Sequence, residues 1–246
     1  MASSSPARVL LVLGAGPNIG AHLAQTFSAK GYQVALASRT PHPVEATSSK
    51  PASAYLHVTV DLSQSESVPG VFETVKAEIG APSVVVYNAA LRYPDTPDDP
   101  LSSLSLANFS TALAVNTTSA VAALQQAVQG FQSLPASPSS AFSKTFIFTG
   151  NILNVKHFPG MLAFGLGKAA TAYAIQDLVE GKNAYRDQGI KFYYADERNP
   201  QGGPAGPNID GPAAAIEYLK LAERQDQGPW LHTFIKGQGY KDFGGQ

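Results

Sequence analysis

A single α/β domain with a doubly wound parallel sheet is the fold class this sequence predicts, and three observations predict it. Short continuous apolar runs alternate with helix-spaced patterns along the whole chain. The first apolar run passes straight into a glycine-rich turn, "GAGPNIG" at Gly14 to Gly20, which opens the first helical pattern. The chain has 246 residues, ample for one core and short for two.

Taken in order, the elements justify that class. "RVLLVLG" (Arg8 to Gly14) lacks the polar alternation of a half-exposed strand, as a strand covered on both faces should. "NIGAHLAQTFSAKG" spaces Ile19, Leu23 and Phe27 on one helical face, and Gly31 closes the helix. "YQVALAS" and "AYLHVTVD" read as the second and third strands. "ESVPGVFETVKAEIG" reads as a helix interrupted by its proline, and "PSVVVYN" as the fourth strand. One long alanine-rich helix is expected over "SLANFSTALAVNTTSAVAALQQAVQGFQSL". The Pro/Ser stretch "PASPSSAFSK" is a loop within the domain, because the strand "TFIFTG" follows at once. A helix from about Met161 to Tyr185, the strand "IKFYYA", the irregular "ERNPQGGPAGPNIDGP", a short helix and the strand "WLHTFIKG" complete the chain. The expectation is about seven parallel strands with helices on both faces, in one domain spanning residues 1–246, with no internal repeat.

Composition excludes several classes of function. The formal net charge is −1, which leaves no electrostatic case for nucleic acid or an anionic membrane as a partner. Hydrophobic residues make up 44% and charged residues 14%, the balance of a packed domain and not of a disordered chain. Without cysteine there are no disulfides and no cysteine-ligated zinc, and no metal site is expected. The opening apolar run has no cleavage site and is too short to cross a bilayer, so a cytoplasmic protein is expected. The triplets at Asn108 and Asn116 fit the glycosylation pattern but mean nothing without a secretory signal.

Chemistry gathers at "GAGPNIG". Glycines allow a tight turn and a close backbone approach, and a helix start offers free N–H groups and a positive dipole end to phosphate. Gly14, Gly16 and Gly20 do not form the common G-x-G-x-x-G, since Ile19 stands where its third glycine would fall. The spacing resembles the G-x-x-x-G-x-G of the short-chain dehydrogenase/reductase family, with Asn18 in place of the middle glycine. Asparagine tolerates positive φ, so it is expected to keep the turn, and Pro17 is expected to start the helix.

Four further landmarks carry the same resemblance across nearly the whole chain. Asp61, followed by Leu62, looks like the family's aspartate that hydrogen-bonds the adenine amino group. Asn88 and Ala89 in "NAA" look like the N-N-A-G turn. Asn116 looks like the helix asparagine that holds a water beside the active-site lysine, and Lys168 like that lysine, which contacts the nicotinamide ribose. The resemblance also implies a homodimer or homotetramer through the helices of Asn116 and Lys168. The small-residue runs "TTSAVAAL" and "GKAATAYA" suit such a contact or equally internal packing. From the residues themselves, Ser38 and Arg39 close the second strand with donors and a positive charge. That chemistry suits the 2′-phosphate of NADP(H), where an aspartate would suit NAD(H).

The catalytic end departs from the family. In "FGLGK", Phe164 stands four residues before Lys168, where the resemblance calls for the proton-transferring tyrosine. Thirteen residues earlier, Asn151 preceded by Gly150 stands where the family's serine belongs, and "ADERNPQGG" replaces its P-G turn. Asn151 can donate an amide hydrogen bond to a substrate oxygen. His157 and Tyr93 lie on loops at the carboxyl edge, and His157 is the better substitute acid, because imidazole is the side chain whose unperturbed charge change falls nearest neutral pH. Tyr173 is nine positions past Phe164 and faces another way on the helix. The expected function is an atypical NADP(H)-binding oxidoreductase acting on a small hydrophobic carbonyl, imine or activated alkene. A non-redox isomerase or cyclase on the same scaffold, or a cofactor-binding protein without catalysis, are the alternatives.

Overall fold

The computed structural model describes residues 8–41, 55–135 and 143–244. Most of the "PASPSSAFSK" loop and the segment before Arg8 lie outside the described residues. One eight-stranded sheet organises the rest, in the order β3-β2-β1-β4-β5-β6-β7-β8. Its strands are β1 (Val9–Leu13), β2 (Gln33–Ser38), β3 (Leu56–Thr59), β4 (Val84–Tyr87), β5 (Thr145–Thr149), β6 (Lys191–Arg198), β7 (Leu231–Ile235) and β8 (Gly239–Tyr240). Seven are mutually parallel as expected; the eighth is a two-residue antiparallel return after β7.

The strand period of two sends alternate side chains of β1 to opposite faces, and both faces are buried. Val9, Leu11 and Leu13 join one core and Leu10 and Val12 the other. The first core lies under α2 (Val68–Ile79), α5 (Ser119–Ser133) and α6 (Leu162–Glu180); the second lies under α1 (Ile19–Ala29) and α7 (Gly211–Glu223). Each fully buried Leu or Phe there stabilises the fold by roughly 1.5–3 kcal/mol. The sheet runs outward in both directions from β1 and β4, so their carboxyl ends diverge and leave a crevice, where ligands bind in folds of this class.

Four elements depart from the sequence reading, each for a physical reason. Pro69 does not interrupt its helix: it occupies the first turn of α2, where a missing N–H costs nothing. The long alanine-rich helix is divided into α4 (Leu106–Leu113) and α5, joined by a π-helical turn, Ala114–Thr118, and a separate short helix, α3 (Pro100–Ser103), precedes it. Helix α6 stops at Glu180, five residues short of Tyr185, with Gly181 N–H closing on Asp177 O and Asn183 Nδ2 donating to Leu178 O. Strand β6 continues past Ala195 through Asp196, Glu197 and Arg198, which pair with Thr233, Phe234 and Ile235 of β7. Its two charged ends can be buried because residues two apart share a strand face: Arg198 Nε donates to Asp196 Oδ2 at 2.5 Å, and both side chains are 1% exposed. Among the described residues no helix is long and apolar enough to cross a membrane.

Candidate active site

The crevice holds two distinct regions. The first is a groove of about 820 Å³ over the ends of β1, β2 and β4. Gly14 and Ala15 donate their N–H groups to Ala37 O, and Asn88 Nδ2 donates to Gly14 O at 2.9 Å, so the glycine loop is fixed between two strand ends. Gly14 has φ +86°, and a Cβ there would lie 2.3 Å from Ala89 N; only glycine fits. Gly16, Ala89 and Asn88 line the groove, while Gly20 and Ile19 begin α1.

Arg39 and Asp61 face the same groove and are exposed. The Ser63 backbone N–H, donated to Asp61 Oδ1 at 2.9 Å, holds the Asp61 carboxyl below its usual range, with the Arg39 charge adding to the effect. Leu62 is buried, and its carbonyl accepts from Ser119 Oγ.

Two residues of this region do something other than expected. Asn18 is not left-handed (φ −89°), and the helix begins after it at Ile19, so Pro17 lies outside the helix. Its side chain instead bridges to the segment before α7, donating to Ile209 O at 3.1 Å and accepting from Gly211 N at 3.0 Å. Ser38 gives its hydroxyl proton to Thr40 O at 2.7 Å and is not a free donor for a phosphate. Arg39 carries that expectation by itself.

The second region is a cavity of about 380 Å³ over β5 and β6. Ile152, Phe158, Met161, Phe164, Ile209 and Phe234 give it an apolar wall, and Arg92, Thr149, Asn151, Asp196, Glu197 and Tyr218 are its polar groups. Helix α6 is held in place at its first turn, where Leu162 N–H donates to Asp95 Oδ2 at 2.7 Å. Phe164 and Lys168 follow on that helix, one turn apart.

Lys168 is only 3% exposed. Its Nζ donates to Thr149 O at 2.8 Å and lies 4.4 Å from the Phe148 ring centroid and 5.4 Å from that of Phe164. Burial pulls its pKa down to about 7, against the opposing pull of the Asp196 charge. Asn116, in the π-helical turn, is fully buried, and its side-chain amide is engaged by the Leu91 backbone. Its side chain accepts from Leu91 N at 3.1 Å and donates to Leu91 O at 2.7 Å, while its carbonyl accepts from Thr171 Oγ1. Thr117 Oγ1 likewise donates to Gly167 O, so this part of the small-residue runs serves internal packing.

Asn151 begins a 3₁₀ turn, and its Oδ1 accepts from Leu153 N at 3.0 Å. The backbone on either side of its Cα is held by Tyr194, whose hydroxyl accepts from Asn151 N and donates to Asn151 O at 2.8 Å. Gly150 makes room for that ring, since a Cβ there would lie 2.0 Å from Tyr194 Cε1. With Oδ1 engaged, the amide N–H₂ is the donor Asn151 has left for the cavity. His157 is not part of this cavity. It is exposed and lines a neighbouring depression with Asp95 and Lys156. Tyr93 lines the first groove, and Tyr173 points to solvent.

The sequence reading missed Asp196, Glu197 and Tyr218. Burial raises the pKa of Asp196 to about 6 despite the Arg198 partner. Burial also raises that of Glu197, which accepts from Asp210 N at 2.9 Å. Tyr218 donates to Thr149 Oγ1 at 3.0 Å. The signal was present as "DER", three charges at the end of an apolar run in a chain where charge is sparse.

Together these regions define a class: a nucleotide-binding α/β protein with a glycine loop at the switch of its sheet and a partly apolar cavity beside it. Residues 8–185 match the short chain dehydrogenase family. A curated short chain dehydrogenase/reductase, dmxR12 of Cryptosporiopsis sp. (strain 8999), is 40% identical over 251 residues, covering 98% of this chain and 96% of that protein. The chain therefore belongs to the short-chain dehydrogenase/reductase family of oxidoreductases. Solved structures agree at the level of fold. An alcohol dehydrogenase from the archaeon Thermococcus sibiricus, complexed with 5-hydroxy-NADP, superposes with TM-score 0.72 at 17% identity, covering 96% of this chain and 99% of that one. ElxO with NADP bound gives 0.73 at 16% identity, covering 94% and 97%. A tyrosine-to-phenylalanine variant of ElxO with NADPH bound gives 0.74 at 17%, covering 94% and 98%.

Proposed function

We propose that this protein is an NADP(H)-dependent reductase of a small hydrophobic carbonyl, imine or activated alkene, working without the family's tyrosine and serine hydroxyls. The observation that carries this reading is the conjunction of the fixed glycine loop, with exposed Arg39 on its groove, and an apolar cavity beside Lys168. The residues fit a dinucleotide. Gly14 and the start of α1 present backbone to a pyrophosphate, Asp61 is an ionised acceptor for the adenine amino group, and Arg39 suits a 2′-phosphate. NADPH bound there supplies hydride.

The chain's own residues do the rest. Lys168 offers N–H donors to ribose hydroxyls, and its low pKa rises as it gains polar partners. Asn151 offers its amide hydrogens to a substrate oxygen, and Ile152, Phe158, Met161 and Phe164 give the substrate's hydrocarbon part an apolar surface. Phenylalanine at position 164 leaves no phenol to transfer a proton. The ElxO variant with NADPH bound supports the view that this fold holds the nucleotide after a tyrosine-to-phenylalanine change.

The test is NADPH consumption with a panel of aromatic ketones, quinones and cyclic imines, alongside calorimetric titration with NADPH and NADH. Turnover with at least one class, and tighter NADPH binding, are expected. Binding without turnover across the panel favours the non-catalytic reading, and product formed equally well with NADP⁺ favours an isomerase or cyclase.

A further inference from the structure

We propose that the cavity over β5 and β6 takes a substrate whose hydrocarbon body carries a carboxylate, and that Arg92 binds that group at the cavity's rim. The substrate's role rests on the reductase reading above, which this deepens; the anion site is tested apart from it. Arg92 follows β4 in "NAALRYP" and lines the cavity, while its neighbour Tyr93 lines the nucleotide groove. One loop thus addresses both regions with consecutive side chains. Its backbone is fixed just before Arg92, where the buried Asn116 side chain accepts from Leu91 N and donates to Leu91 O.

An anion is indicated by the charge left over once the cavity's own pairs are counted. Asp196 is paired with Arg198 at 2.5 Å, and Lys168 donates to Thr149 O. Glu197 accepts from Asp210 N, and Lys236 is the cation whose charge acts on it. Asp95, three residues past Arg92, is buried and accepts from Leu162 N. Among the described residues Arg92 has no hydrogen bond or ion pair, and neither Asp196 nor Glu197 draws on its charge. Its side chain is exposed, so its five N–H donors are open to a ligand. The same cavity offers the apolar surface of Ile152, Phe158, Met161 and Phe164. An unpartnered guanidinium beside such a surface suits a molecule that is hydrophobic over most of its area and anionic at one end. A carboxylate meets the guanidinium fork with two parallel charge-assisted hydrogen bonds, which a neutral ester or amide cannot equal. Arg92 is on this account a specificity-determining residue and moves neither hydride nor proton.

The experiment separates anion binding from turnover. With NADP⁺ saturating, calorimetric titration compares 2-naphthoate with 2-naphthamide, two ligands of nearly the same size and shape. Naphthoate should bind at least about tenfold more tightly, the lower end for a charge-assisted pair because the rim is wet. Arg92→Gln should bring the two affinities within about threefold of each other, while Arg92→Lys should keep part of the preference. NADPH affinity should stay within about threefold in both variants, since Arg92 does not line the nucleotide groove. Lys156, the exposed cation 5.9 Å from the Phe158 ring centroid, is the control for a diffuse positive field. Lys156→Gln should leave the preference within about twofold. In turnover, 4-acetylbenzoate should exceed its methyl ester in kcat/KM through a lower KM, and Arg92→Gln should remove that advantage with kcat little changed. Equal affinities for naphthoate and naphthamide in the native protein, or a preference that survives Arg92→Gln, overturn this inference alone. Tighter binding of 2-naphthylmethylammonium than of naphthoate also overturns it and assigns the cavity's selectivity to Glu197. A naphthoate preference that depends on Arg92, with no NADPH consumption on any carbonyl, imine or alkene, overturns the reductase reading and leaves the anion site in place.

Discussion

The groove over β1, β2 and β4 and the cavity over β5 and β6 lie side by side, yet they handle charge in opposite ways. In the groove the polar groups are backbone amides or exposed side chains: Arg39 is open to solvent, and Asp61 is stabilised in its ionised form by a backbone N–H. In the cavity Lys168 and Asp196 are both buried, and both are pushed toward neutrality, to about 7 and about 6. A surface that recognises an anion gains nothing from desolvating its own charges, since phosphate brings the counter-charge. Burial instead shifts charged groups toward their neutral forms, and such groups gather at reaction sites. On the proposed reading, nucleotide recognition belongs to the groove, while the cost of desolvating charge is stored in the cavity.

The sharpest break is predicted within the groove itself. Gly14→Ala would force a side chain into φ +86° and against Ala89, costing about 2–5 kcal/mol in denaturant unfolding and removing measurable NADPH binding. Gly16→Ala is the control, since no atom lies within 4 Å of the point its Cβ would occupy. Its stability should stay within about 0.5 kcal/mol, while NADPH affinity falls because the methyl group projects into the groove. If both variants lose stability equally, the loop is a folding element and not a binding surface.

Next in size is the charge test. Arg39→Asp should shift the ratio of NADPH to NADH affinity by about 10- to 100-fold toward NADH, the value of a charge-assisted hydrogen bond gained or lost. Ser38→Ala should leave the ratio nearly unchanged, because the Ser38 hydroxyl proton already goes to Thr40 O. Calorimetry with both nucleotides reads both outcomes, and equal affinities in the native protein would remove the basis of the comparison.

How much of this was legible in the sequence divides along the same line. The groove was legible because its determinants are local. "GAGPNIG" follows an apolar run, and Asp61, Asn88 and Arg39 sit at strand ends that the pattern already defines. Even so, the conformation of Asn18 was misjudged, since its partners Ile209 and Gly211 are about 190 positions away. The cavity was far less legible. Asp196 and Arg198 become a buried pair only when β6 is extended by pairing with β7, and no periodicity in "ADERNPQGG" announces that. His157 failed for the same reason: its place on a loop after β5 was read correctly, but which depression that loop faces depends on how "NVKHFPG" packs against α6.

A smaller effect tests the stored cost directly. Lys168 has a folded pKa depressed to about 7 from an unfolded value of 10.5, so the fold disfavours its charged form. That penalty is complete below about pH 7 and shrinks as pH rises toward 10.5, because the native state has already released the proton there. Lys168→Met should therefore raise the melting temperature by about 3 °C or more at pH 6, with the gain fading at alkaline pH, while NADPH binding weakens. A destabilised variant at pH 6 would mean that the contact with Thr149 O outweighs desolvation.

The smallest effect is expected from Phe164→Tyr. Its ring centroid lies 5.4 Å from Lys168 Nζ, so the new phenol would stand on the wall of the cavity, and the lysine charge would encourage it to ionise. In an otherwise complete site a positioned acid is worth about 10²–10⁴-fold. Here the partner position holds Asn151, whose Oδ1 is engaged by Leu153 N–H and whose backbone is clamped by Tyr194. Groups that act as a unit return little when one is restored alone. The single variant should thus change NADPH consumption with generic ketones by less than about tenfold. Phe164→Tyr with Asn151→Ser should gain more, since serine can cap the 3₁₀ turn and still present a hydroxyl. A gain above about 100-fold in the single variant would show the cavity to be an ordinary reductase site lacking one atom, and the contrast between the two regions would reduce to that atom. A loss of native activity on introducing the phenol would show that the apolar ring at position 164 is part of the working wall.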